Sequence, residues 1–554
     1  MEKPKRRKII EWTFIIILVL ILGAGWYLNQ HWTRLLRREI PGYVSELSDS
    51  LYVVKFRDLK LNVLTGSVTL TDASMTPDTA VYHQLLAAHR APADIYTVHV
   101  EKLELNYFRP WRYFIKKEFN AASVVVSSPD ILVEQNATVK DTSAPKTAYE
   151  SISSKMKSII IGKLILDNTH LKYIYTRKDS TRLIRRFNSL RIRINDFLIN
   201  AASLNDPTRY LYARNYEIRL RDQMRISHDS LYQLNIKGIS YDAAERTLHA
   251  GQLEIQPRYD KAAFQQRNGV QQDRYEVLLS NISIENLNPI LLLQEQKLWA
   301  QRVNINAGKL HIYRDRRLPM PPGNKLGKYP NQLLQQLKLP VKIDTLTGNN
   351  IDVQYTEVSP DSGEEGAISF GRVNGRLTNI TNIDSMVKIN NHCIADVDAV
   401  FMQSGKLTAH FDFTLQSPTG SFSVNGQLKD MNGKDLNQVT EPLGKVEIRS
   451  CNIRDLNFNI SGDEYKASGT VKLLYDNLKI ALLQHNNGQK GYIRQGLKSF
   501  VANIMVIQDS NPLPGGKIRV STPAYKRDIQ KSFFNLIWKT LFTGVKETVG
   551  AKNI

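Results

Sequence analysis

Residues 49–132 return, spacing for spacing, at residues 229–312, and a chain that repeats a stretch of this length is built by adding like units side by side. Asp49-Ser50-Leu51-Tyr52 recurs as Asp229-Ser230-Leu231-Tyr232, an offset of 180. Val54, Phe56, Leu59 and Leu61 fall on Leu234, Ile236, Ile239 and Tyr241, and Pro77 falls on Pro257. With the offset at 179, Tyr96, Val98, Val100, Leu103 and Leu105 meet Tyr275, Val277, Leu279, Ile282 and Ile284. Lys117, Phe119 and Leu132 then meet Lys297, Trp299 and Ile312. Apolar spacing and turn residues recur, whereas polar residues suited to catalysis do not. Repetition of that kind describes an extended surface rather than a single reactive centre.

The pattern between and beyond the copies has period 2, the signature of strands with one buried face. Leu310-His311-Ile312, Phe411-Asp412-Phe413 and Phe422-Ser423-Val424 are examples. Gly66, Gly162, Gly308, Gly444 and Gly469 each precede an alternating triplet, which predicts turns or bulges between antiparallel neighbours. Helices are few and short: 110–117 and 289–297 in matching places, and 435–443. At the far end Phe533, Ile537, Leu541 and Val545 recur at i+4, with Phe534, Trp538 and Phe542 in a parallel row. That spacing predicts an amphipathic helix that either caps the sheet or lies on a membrane interface.

Residues 1–8 form a basic tail, and 9–33 read as a transmembrane anchor carried by Trp12, Phe14, Ile15, Leu18, Leu22 and Trp26. Trp12 to Thr33 carries no charge, and at about 1.5 Å per residue it roughly spans a hydrocarbon core of about 30 Å. Lys3, Lys5, Arg6, Arg7 and Lys8 place the N-terminus in the cytoplasm and the body outside. A cleaved signal peptide is the rival reading, because Gly23 and Gly25 have the spacing of a cleavage site. The body then divides into a β region at 34–317, a Pro-rich linker at 318–330, a second β region at 331–530 and the amphipathic helix at 531–550.

The formal charge of +21 raises the question of nucleic acid. In Leu190-Arg191-Ile192-Arg193-Ile194 and Ile218-Arg219-Leu220-Arg221, however, every Arg alternates with an apolar residue, which spreads the charge over one strand face. A solvated basic face suited to anionic lipid is the expectation, with no nucleic-acid partner. Cys393 and Cys451 leave one bridge or two buried thiols open.

Catalytic and cofactor motifs are missing. Gly433-Lys434 lacks the rest of a phosphate loop, no pair of histidines has the His-Glu-x-x-His spacing, and neither Cys-x-x-Cys nor Gly-x-Ser-x-Gly occurs. Asp361, Glu364 and Glu365 read as a solvated acidic turn. The expectation is a protein that is not an enzyme, with no metal and no cofactor.

An apolar face of about twenty-five strands, at roughly 1.5–3 kcal/mol per large side chain, is too large to leave in water. Either a second sheet seals it or lipid acyl chains line it. Ser421-Phe422-Ser423-Val424-Asn425-Gly426-Gln427-Leu428-Lys429-Asp430-Met431, with Leu436-Asn437, Pro442-Leu443 and Gly444-Lys445-Val446-Glu447-Ile448, resembles the C-terminal region of AsmA-like envelope proteins. The anchor followed by the strand-Gly-strand element of 56–73 is similar to their start, and the resemblance extends from residue 1 to about residue 483. It implies a Gram-negative inner-membrane protein with a periplasmic body, akin to repeating β-groove proteins that carry glycerophospholipids, and it implies no catalytic residues.

The expected fold is therefore mainly β, with an anchor helix, an elongated, curled antiparallel β-groove, a few short helices and the C-terminal helix. Candidate groove-lining residues are Val98, Val100, Leu103, Leu105, Val277, Leu279, Ile282, Ile284, Phe422 and Val424. The amphipathic face comprises Phe533, Phe534, Ile537, Trp538, Leu541 and Phe542. Phospholipids and the inner membrane are the expected partners, with envelope proteins as further candidates. A lipid-free assembly factor with a sealed β-sandwich core is the alternative.

Overall fold

The computed structural model describes residues 29–63, 65–109, 111–139, 147–206, 208–209, 212–289, 291–485, 492–494 and 507–551. The anchor residues Trp12, Phe14, Ile15, Leu18, Leu22 and Trp26 lie outside this range. Among the described residues no helix is long and apolar enough to cross a membrane. The protein is mainly β with a few short helices.

Twenty-three strands follow one another among the described residues. The first eight are β1 (Tyr52–Asn62), β2 (Ser67–Pro77), β3 (Asp94–Asn106), β4 (Glu118–Ser127), β5 (Asp130–Asn136), β6 (Ser158–Thr176), β7 (Arg182–Ile199) and β8 (Asn215–Leu220). Next come β9 (Gln223–Ile226), β10 (Tyr232–Lys237), β11 (Ile239–Asp242), β12 (Thr247–Pro257), β13 (Arg274–Glu285), β14 (Leu298–Asp315), β15 (Val341–Val358) and β16 (Glu365–Thr381). The last are β17 (His392–Phe401), β18 (Gly405–Thr414), β19 (Phe422–Asn432), β20 (Val446–Gly462), β21 (Lys466–His485), β22 (Tyr492–Arg494) and β23 (Ala524–Lys526).

The chain forms two compact units, one of residues 1–221 and 239–247, the other of 222–238 and 248–554. In the first, β1, β2 and β3 form an antiparallel meander. β3 then pairs with β5 along one half and β4 along the other, and both of these lie parallel to β6. β7, β8 and β11 continue the ladder antiparallel. A helix over residues 29–47, α1, packs Leu36, Trp32 and Ile40 against Leu59, Leu61, Val68 and Phe108.

In the second unit β9, β10, β12, β13 and β14 are antiparallel, β14 and β15 are parallel, and β15 to β21 run antiparallel in chain order. The wholly antiparallel expectation is thus corrected in both units. A parallel pair needs a crossover, and residues 316–340 with their short helix Pro330–Gln335 supply one. The Pro-rich 318–330 stretch lies inside this unit: Lys325 N donates to Ile529 O at 2.7 Å, and Tyr329 is fully buried.

The repeated stretches fold into the same succession of elements. β1 pairs with β2 from Tyr52↔Pro77, and β10 with β12 from Tyr232↔Pro257. π-helical turns at Arg112–Lys116 and Leu291–Glu295 stand where short helices were expected. Asp78 N donates to Leu51 O, and Arg258 N to Leu231 O, at 2.7 and 2.9 Å. The copies differ where one strand is broken. Pro129, which has no N–H for a ladder, separates β4 from β5, and Gly238 at φ +64° separates β10 from β11.

Of the glycines expected in turns, only Gly66 sits in a hairpin, at φ +66°. Gly162, Gly308 and Gly469 lie within β6, β14 and β21, where neighbouring backbone or side chains approach closely, and Gly444 ends the helix Asn437–Gly444. Cys393 and Cys451 are free and buried in separate clusters.

The C-terminal helix Phe533–Val549, α8 in chain order after α1 (residues 29–47), α2 (Thr79–Ala87), α3 (Ala148–Ile152), α4 (Lys261–Asn268), α5 (Pro330–Gln335), α6 (Asp384–Val387) and α7 (Asn437–Gly444), covers the apolar face of β19 to β21. Phe533 meets Tyr329 and Phe422 edge-on at 4.9 and 4.8 Å. Ser521 Oγ donates to Gly544 O at 2.9 Å, and Gly544 lies hard against Val471.

Candidate functional site

Strand alternation places one side chain in two on the apolar face, and cross-strand register lines these up in rows. In the first unit one row runs Val54, Met75, Val98, Ile131, Leu171, Phe187 across six strands. In the second, the matching row runs Leu234, Ile255, Val277, Leu310, Val353, Phe370. All twelve residues are half-buried, and two of them, Val98 and Phe370, also pack against buried clusters. The first three positions of each row, Val54, Met75 and Val98 against Leu234, Ile255 and Val277, fall within the duplicated stretches at offsets of 180, 180 and 179, while Leu171, Phe187, Val353 and Phe370 lie on strands beyond them.

Tyrosines flank both rows at matched places. Tyr96 and Tyr173 lie on either side of Val133, and Tyr275 and Tyr355 on either side of Ile312. Tyr96 N donates to Tyr52 Oη at 3.1 Å, and Tyr275 N to Tyr232 Oη at 3.2 Å. Tyr96 and Tyr275 are each 40% exposed. Burial, reinforced by Asp273, pushes the Tyr275 hydroxyl up to about 12, and burial raises Tyr52, Tyr96, Tyr232 and Tyr355 as well. The hydroxyls of Tyr52, Tyr96, Tyr232, Tyr275 and Tyr355 therefore stay protonated at physiological pH, beside the apolar strip.

The residues singled out in sequence fall into three environments. Val98 and Val277 belong to the half-buried rows, and Val98 also borders the cluster around Val100. Val100 is buried with Ala121, Val124, Val126 and Ile161, and Leu103 and Leu105 pack against it. Ile282 is buried, Ile284 packs on the Ala300, Val303, Val341, Ile343 cluster, and half-buried Leu279 closes over Gly308. Phe422 and Val424 lie beneath α8 with Phe533 and Leu536, in a closed core. Of the amphipathic face, Phe533, Ile537 and Leu541 pack inward, while Phe534, Trp538 and Phe542 point outward.

The sequence reading missed the opposite face of the second unit. There Thr347, Arg376, Asp396, His410, Asn425, Asn459 and Thr470 follow one another in register. With a second row two residues away they line a shallow depression of about 980 Å³. His410 Nδ1 lies 2.6 Å from Asp396, and Asn374 donates to Asp398 at 2.9 Å. The alternation of Asn, Asp and Thr with apolar residues was the available signal, and it reads equally as ordinary solvated sheet.

Several charges elsewhere are paired. Arg191 meets Asp167 at 2.8 Å, Arg193 meets Glu217 at 3.3 Å and Arg214 meets Asp196 at 2.7 Å. The acidic turn is held by lysines, Asp361 by Lys445 at 2.8 Å and Glu365 by Lys261 at 2.7 Å. Among the described residues no group of three or more His, Cys, Asp or Glu is placed to hold a metal ion. No protein-family model and no curated protein matches this chain.

Proposed function

We propose that this chain is a lipid-binding protein of the AsmA-like kind, anchored in the inner membrane by its N-terminal apolar run, with its body in the periplasm. It seats phospholipid acyl chains along the two apolar rows, carries them along a curled β-groove between membranes, and has no catalytic role. The observation that carries this reading is the pair of half-buried rows, flanked by neutral tyrosines. A side chain left half-covered on an apolar strip gains little from the protein alone. An acyl chain laid across six strands, roughly 24 Å at about 4.8 Å per strand step, completes its burial.

A second reading, a lipid-free assembly factor with a sealed core, is favoured by one observation: Phe422 and Val424 are already covered by α8. The test is native mass spectrometry with lipid extraction on the purified full chain. Retained phospholipid, in a stoichiometry of one or more per chain, supports the carrier. A folded, lipid-free chain sinks it in favour of the sealed core.

A further inference from the structure

We propose that the outward side of α8 docks on an anionic lipid surface. The inward side of this helix is saturated: Phe533, Leu536, Thr540, Gly544 and Thr548 are buried against the sheet. Of its seventeen residues the four that are exposed are Phe534, Trp538, Lys539 and Phe542. Phe534 is 64% exposed, and Trp538 and Phe542 are each 37% exposed. Trp538 and Phe542 stack at 5.6 Å with their planes 13° apart, and Lys546 Nζ sits 5.5 Å from the Phe542 ring centre. Three aromatic rings one turn apart make an outward ridge, of which Phe534 touches the docked Phe533, edge-on at 5.2 Å.

An occupant that is apolar at the ring level and anionic just above it fits this ridge. Tryptophan and phenylalanine with lysine beside them are the residues that settle at a bilayer interface. Residues 507–551 carry seven Lys and Arg against three Asp and Glu, and with buried Arg527 set aside the remaining six leave a net +3 that draws the segment to anionic head groups. This inference rests on the helix alone and stands whether or not the apolar rows hold lipid.

The test uses the full chain, kept soluble in phosphatidylcholine nanodiscs, with an environment-sensitive fluorophore on a Phe534→Cys variant; Cys393 and Cys451 are buried and do not compete for label. Vesicles are either phosphatidylcholine alone or phosphatidylcholine with roughly 30 mol % phosphatidylglycerol. The expected result is a blue shift and co-flotation with the anionic vesicles only, weakened by salt. Affinity falls about tenfold in Trp538→Ser/Phe542→Ser and in Lys539→Glu, with thermal stability retained. No shift with either vesicle overturns the proposal, and so does an equal shift with both. A concentration-dependent shift without vesicles also overturns it, because a second copy of the chain then takes the ridge.

Discussion

Tyr52 and Tyr232 show how one bond is reproduced by duplication. Each hydroxyl accepts from the backbone N–H of the tyrosine that follows on the next strand but one, at 3.1 and 3.2 Å. Tyr52→Phe and Tyr232→Phe each remove one such acceptor at a partly solvated site. Each is expected to cost about 0.5–1.5 kcal/mol in denaturant unfolding, with faster amide exchange at Tyr96 and Tyr275 respectively. Tyr232→Phe also removes the 3.3 Å bond that Tyr232 Oη donates to Asp273 O and is expected to cost the more, whereas a silent variant in either copy would break their equivalence. The cysteines make a second residue-scale prediction. Burial, with a smaller push from Asp412 or Asp476, raises both thiols from 9.0 to about 11. The folded state thus keeps protons that the unfolded chain loses. The resulting stability is fully present below about pH 9 and is lost as pH rises toward 11. At pH 8 a native thiol holds about a hundredfold less thiolate than a free one, so aromatic disulfide reagents are expected to label both cysteines only on unfolding. Rapid labelling of native protein at pH 8 would contradict this.

At the scale of elements, α8 separates what periodicity encodes from what packing decides. The two i+4 rows, one from Phe533 and one from Phe534, are legible in sequence, as is the amphipathic helix they imply. Which row docks is not, because adjacent residues lie only 100° apart around the axis and both rows are apolar. The sheet chooses: Phe533 fits between Tyr329, Phe413 and Phe422, and Gly544 allows the helix down onto Val471. Phe533→Ala is accordingly expected to cost about 3–5 kcal/mol, while Phe534→Ala, one residue on and 64% exposed, stays within about 0.5 kcal/mol. Thermal denaturation of the two variants checks the contrast, and equal losses would mean that both rows are buried. The parallel pairings of β6 and β15 were illegible for a related reason. A period of 2 identifies a strand and its buried face but not its neighbour or its direction. The π turns at 112–116 and 291–295 were legible as matched short helical segments; their type was not, since five residues carry no usable periodicity.

At the scale of the whole molecule the apolar face of each unit is neither uniformly sealed nor uniformly open. It is closed where α1 covers Leu59, Leu61 and Val68 and where α8 covers Phe422 and Val424, and half-open along the two rows. The repeat, at an offset of 179 here, made Val98 and Val277 findable in sequence, but it could not distinguish them from Val100, which alternation puts on the same face. That distinction gives the proposed function its sharpest test. Val98→Asp and Val277→Asp place a carboxylate on a half-buried strip where it keeps part of its hydration, so folding is expected to survive while retained phospholipid falls roughly twofold in each and further in the double variant. Val100→Asp puts the same charge among Ala121, Val124, Val126 and Ile161, and is expected to yield little folded protein because an unpaired buried carboxylate costs several kcal/mol. Lipid content measured on the folded fraction separates the two effects. If Val98→Asp and Val277→Asp retain as much phospholipid as the parent chain, the rows are not acyl seats. If instead all three variants fail to fold alike, the half-open rows belong to a closed core, and the surfaces that remain for function are polar ones.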